Sequence, residues 1–84
     1  MGITNWSGNI KITIIDFERF NLCGTFDLAT MYFVNGKRIS RNDYYQQYSL
    51  LDTNKWEYVN SKYFTKDSNN LTKHYTIIEY KERI

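Results

Sequence analysis

The 84-residue sequence holds no proline, one cysteine, one histidine and only four glycines. A lone thiol, Cys23, cannot close an internal disulfide. Small secreted folds ordinarily rely on several such bridges, so a reducing compartment is expected. Cys23 and His74 together offer fewer zinc ligands than a structural site takes. They have the residue types of a nucleophile–base pair, but one lies in a predicted turn and the other near the start of a predicted strand. Gly36-Lys37 lacks the upstream glycine and downstream hydroxyl residue of a phosphate-binding loop. The acidic residues are scattered. Asp16 and Glu18 share a strand face, as acids at period two must, a pattern commoner on the wet side of an edge strand than in an acid–base pair. The expectation is a protein that is not an enzyme and that requires neither metal nor cofactor.

Long apolar runs are also missing, which excludes a membrane-spanning helix. The opening MGITNWSGNIK lacks the basic-then-apolar order of a signal peptide, so a cytoplasmic location is expected. The glycosylation-type triplets Asn5-Trp6-Ser7 and Asn70-Leu71-Thr72 are then coincidental. What the chain does have is an apolar fraction of 42% and an aromatic fraction of 18%, with eight tyrosines. That suffices for one small core, so residues 1–84 read as a single domain, with 1–8 polar enough to fray. The net charge of +2 has neither the strongly basic balance of a dedicated DNA-binding protein nor the acidity of a DNA mimic.

Without proline, the chain is punctuated by Asn, Asp, Ser and Gly. Ile10, Ile12 and Ile14 alternate as in a β-strand over 9–17, after which Ile15 and Phe17 shift to the other side. That shift implies either two buried faces or a bulge. A turn is expected over 21–25. In 26–34, Phe26, Leu28, Thr30, Tyr32 and Val34 occupy one face, and Asp27, Ala29, Met31 and Phe33 the other. Asn35-Gly36 favours a type I′ turn, because both residues tolerate positive φ. The resulting hairpin pairs Val34 with Lys37, Phe33 with Arg38 and Tyr32 with Ile39.

Ser40 is placed to cap a helix over 41–51, with Asp43 in its first turn and Tyr44, Tyr48 and Leu51 as its apolar stripe. Strands are expected over 55–65 and 71–82, around a polar turn at 66–70. The fold class predicted is α+β: a small antiparallel sheet in the order β-β-β-α-β-β, with one short helix packed on one face. Phe26, Leu28, Tyr32, Ile39, Tyr48 and Leu51 form the predicted core, and Leu28→Ala is expected to cost about 2–5 kcal/mol.

Two surfaces can bind a partner. On the outer hairpin face, Met31, Phe33 and Arg38 are of the types enriched at protein interfaces, although such a face is more often covered by a further layer or merely carries isolated exposed apolar residues. At the hairpin tip, Lys37, Arg38 and Arg41 stand near Tyr45, a set able to hold a phosphate backbone and stack a base. Hairpin tips also carry such charges merely for solubility. By size and its richness in Asn, Lys, Ile and Tyr, the chain resembles the short proteins of phages and mobile elements, anti-CRISPR inhibitors of host defence enzymes among them. The expectation is therefore a small non-catalytic protein acting on a protein partner, with a single-stranded nucleic-acid or RNA-binding module as the alternative.

Overall fold

The computed structural model describes residues 8–83. Five strands form one antiparallel sheet with a single helix between the third and fourth: β1 (Asn9–Phe20), β2 (Phe26–Val34), β3 (Lys37–Ile39), α1 (Arg41–Gln47), β4 (Trp56–Ser68) and β5 (Leu71–Glu82). Across the sheet the order is β3-β2-β1-β5-β4. The molecule is mostly strand, an α+β arrangement that extends 53 Å along its longest axis.

The hairpin of β2 and β3 has the register expected of its turn. Asn35 and Gly36 adopt φ of 50° and 83°, and Val34, Phe33 and Tyr32 pair with Lys37, Arg38 and Ile39. Asn35 also ties the turn inward, since its Oδ1 accepts from the Lys11 amide at 2.8 Å. The hairpin of β4 and β5 departs from expectation. Lys66, Asp67 and Ser68 continue β4, and the turn contracts to Asn69-Asn70, with Asn69 at φ 52°. A two-residue turn keeps three more residues hydrogen-bonded in the ladder than a five-residue loop would.

No bulge accompanies the phase shift in β1. Its register runs unbroken from Ile12 to Phe20 against β2 and from Asn9 to Arg19 against β5. Ile15 and Phe17 simply occupy the opposite face from Ile12 and Ile14, and both stay half-buried. β1 is the central strand, so Asp16 and Glu18 do not lie on an edge. The bulge in the sheet falls instead in β4, between Tyr58 and Asn60. Of the segment expected to fray, residues 1–7 lie outside the described residues. Gly8 is tied to the sheet through its carbonyl, which accepts from the Glu82 amide at 2.8 Å.

Ser40 caps α1, its hydroxyl accepting from the Asp43 amide at 3.0 Å. The helix stops at Gln47 rather than at 51. There the Ser49 amide reaches back to the Tyr44 carbonyl at 2.9 Å, and the Ser49 hydroxyl donates to the Tyr45 carbonyl at 2.8 Å. A serine side chain bonded to a preceding carbonyl competes with the next helical turn. Tyr48 and Leu51 nevertheless reach the core, where they and Tyr44, Ile39, Trp56 and Tyr80 pack around Ile10, Ile12 and Val34. Tyr32 is buried too, stacked on Tyr44 with ring centres 4.5 Å apart.

Two of the predicted core residues are not in it. Phe26 is 60% exposed and Leu28 73% exposed. Both stand on the same face as Tyr32 and Val34, as strand alternation requires. The seven-residue helix starts beside Tyr32, on which Tyr44 stacks, and leads from there toward Ile10 and Trp56, away from both.

Stability measurements should therefore reverse the order expected from sequence. Ile12→Ala should lower the free energy of unfolding in urea by about 2–5 kcal/mol, the usual loss for a core truncation. Leu28→Ala should cost less than about 1 kcal/mol. Burial also pushes the phenols of Tyr32 and Tyr44 above the ordinary tyrosine value, with the neighbouring Tyr45 adding to the effect. Their contribution is complete below the unfolded tyrosine value of about 10 and is lost as pH rises through the raised folded values. Alkaline absorbance titration should show a late-ionising fraction of tyrosine, and Tyr32→Phe should shrink both that fraction and the alkaline fall in stability.

Candidate binding face

Alternation along the strands sends every second side chain to the face away from Ile12, and the register assembles those residues into rungs. One rung runs Arg38, Phe33, Thr13, Ile77, Lys62. The next runs Met31, Ile15, Tyr75, Phe64, and the one beyond it Ala29, Phe17, Lys73, Lys66. Their apolar side chains form one continuous patch. Among the described residues none of the partly buried groups of the helix side reaches it, because Tyr44, Tyr48 and Leu51 all pack around Ile10, Ile12 and Val34.

The rings on this face are ordered. Phe64 stacks on Tyr75 with centres 4.7 Å apart and planes at 10°. Lys66 Nζ lies 5.7 Å from the centre of the Tyr75 ring, and Lys73 Nζ lies 5.9 Å from that of Phe17. Lys66 and Lys73 are also direct cross-strand partners, a like-charge pairing that weakens a sheet. Lys11, Arg19 and Lys81 join Arg38, Lys62, Lys66 and Lys73, so seven of the eleven basic residues project here. Only Asp27, Glu57 and Glu79 of the nine acids accompany them. Glu57 is engaged by Lys81 at 3.9 Å. A chain almost neutral overall thus has one distinctly basic, aromatic face.

Met31, Phe33 and Arg38 all belong to this face. Phe33 and Arg38 are direct partners across the hairpin, Phe33 and Met31 are half-buried, and Arg38 is exposed. Of the alternative set, Arg38 and Arg41 line one groove beside Thr30 and Tyr32, at the end of β3. Lys37 pairs with Val34 and so points to the helix side, opposite to Arg38. Arg41 lies with its guanidinium carbon 5.9 Å from the centre of the Tyr45 ring, and Tyr45 leans edge-on against Tyr44 on that same side. Sequence reasoning missed Ile15, Phe17, Phe64, Tyr75 and Ile77, together with the lysines around them. The alternations Lys62-Phe64-Lys66 and Lys73-Tyr75-Ile77 carry the signal, which becomes readable only once the pairing of β4 with β5 is known.

On the helix side, one rung along from that of Tyr32, His74 Nε2 donates to Glu18 Oε1 at 2.8 Å while its Nδ1 meets the Tyr63 hydroxyl at 3.1 Å. This links β4, β5 and β1 side by side, and Thr30 donates to Asp16 at 2.7 Å in the rung that His74 itself belongs to. Both imidazole nitrogens are engaged, and the Cys23 thiol pairs instead with the Thr25 hydroxyl at 3.2 Å. That exposed thiol is held below the ordinary cysteine value, first by the Thr25 side chain and then by its backbone. No three His, Cys, Asp or Glu side chains converge on a metal position among the described residues. Nor is any helix among them long and apolar enough to cross a membrane. No protein-family model, curated protein or solved structure matches the chain.

Proposed function

We propose that this protein is a non-catalytic binding protein that acts by occupying a protein partner. In this reading α1 is packed on one face of the sheet, and the opposite face is the working surface. The observation that carries it is the patch formed by Met31, Phe33, Ile15, Phe17, Tyr75 and Ile77, which no other layer covers among the described residues. Large contiguous apolar patches rimmed by polar groups mark interaction sites. The rim here is cationic, and the opposed Lys66 and Lys73 lose their mutual repulsion when an anion lies between them. The partner surface that fits has an apolar centre and acidic margins.

The same cations and rings favour a second reading, single-stranded nucleic acid laid across the sheet, with bases on the aromatic side chains and phosphates on the lysines. Salt separates the two. Nucleic-acid affinity falls with a slope of about −0.7 per phosphate contact on a log–log plot, whereas an apolar-centred protein interface responds weakly. Fluorescence anisotropy with a single-stranded oligonucleotide at low salt is the direct measurement, and Lys62, Lys66 and Lys73 changed together to Gln should abolish any signal. Absence of binding there leaves the protein reading.

For the protein partner, Phe33→Ala combined with Arg38→Ala should remove capture of the partner while moving the thermal midpoint only slightly. A desolvated aromatic near the centre of a patch carries about 2 kcal/mol or more of binding. A double variant that unfolds, or that binds as well as the parent chain, would overturn the assignment of this face.

A further inference from the structure

The two edges of the sheet differ. β4 is an edge along its whole length, but it carries a bulge between Tyr58 and Asn60 and the charges of Lys62 and Lys66, which discourage another strand from pairing with it. On the other side β3 covers only Tyr32–Val34. It ends at Ile39, and the chain then turns into α1 at Ser40, leaving β2 from Phe26 to Met31 without an outer neighbour. That stretch has no proline, no lysine or arginine, and no bulge in its pairing with β1.

Which backbone groups are open follows from the ladder. The Asn35 amide donates to the Lys11 carbonyl at 2.8 Å, so the odd-numbered residues of β2 turn their backbone groups toward β1. The N–H and C=O groups of Phe26, Leu28 and Thr30 therefore point outward. Beside them stand two large apolar side chains, Leu28 at 73% and Phe26 at 60% exposure. An edge with free amides and exposed apolar residues, whose one charge, Asp27, stands on the other face from Phe26 and Leu28, is a template for another strand.

We propose that the occupant is a second copy of this chain, with β2 pairing antiparallel to its own copy about a two-fold axis at Leu28. This register engages every open group: Leu28 bonds Leu28 of the other copy, and Phe26 bonds Thr30. Asp27 then faces Ala29, and the Phe26–Thr30 contact is of the aromatic–β-branched type that stabilises cross-strand pairs. An axis at Asp27 would set the two Asp27 carboxylates against each other. An axis at Ala29 would set Phe26 against Tyr32, whose outward groups β3 already holds. Rotation about an axis normal to the sheet keeps the faces in register, so both helices lie on one side. The two basic faces then merge into one. The pairing rests on backbone groups and is independent of what those faces bind.

Sedimentation equilibrium of the full chain at about 100 µM should give a mass twice the 10.2 kDa of one copy. Leu28→Pro removes an outward N–H that nothing within the chain uses, and should yield a monomer with an unchanged far-ultraviolet spectrum. Should that variant misfold, Leu28→Glu serves the same purpose, since two carboxylates would meet at the axis. It should raise the dissociation constant more than about tenfold, and mixing it with Leu28→Lys should restore a mixed dimer. A monomeric parent chain, a dimer that survives both Leu28→Pro and Leu28→Glu, or a mixture that fails to reassociate would each overturn the proposal.

Discussion

A helix of seven residues is about 10 Å long, whereas a strand of twelve residues runs about 40 Å. One cannot cover the other. The apolar core is therefore confined to the end of the sheet where Ile10, Ile12 and Val34 meet the ring of Tyr44, Tyr48 and Trp56. Past Tyr32 the same face continues into solvent, and Phe26 and Leu28 are left in the open although they alternate in phase with buried residues. The far half of the sheet is held by its ladders and by cross-strand links such as Glu18–His74–Tyr63, rather than by a second layer.

That mismatch also determines where interaction can occur. If, as proposed, α1 covers one end of one face, the second face is left whole, and strand alternation collects most of the cations there. β3 is as short as the helix is, and its brevity opens the lane beside Phe26, Leu28 and Thr30. In the proposed readings, the basic aromatic face offers side chains to a partner, and the edge of β2 offers backbone to a strand. They are chemically separate surfaces, and substitutions can address them one at a time.

Local features were legible wherever the physics is local. Asn35-Gly36 requires two positive φ angles in succession, which few other dipeptides tolerate, and this set the hairpin and its register. Ser40 followed by Asp43 determined where the helix begins. Its end was misjudged because the stripe Tyr44, Tyr48, Leu51 continues across the break made by Ser49. The stripe records which residues meet the core, and they do so whether or not the backbone between them stays helical.

Sequence pattern alone sufficed for the existence of the strands, the tight Asn35-Gly36 turn, the helix cap and the two faces of β1 and β2, since these follow from backbone sterics and period-two alternation. It placed Met31, Phe33 and Arg38 on one side of the hairpin for the same reason. Long-range pairing and packing put β1 at the centre, brought Tyr75, Ile77 and Lys73 of β5 beside Ile15 and Phe17, and left Leu28 exposed. Those outcomes depend on contacts between residues far apart in the chain and on how much of the sheet a short helix can cover, which no local pattern encodes.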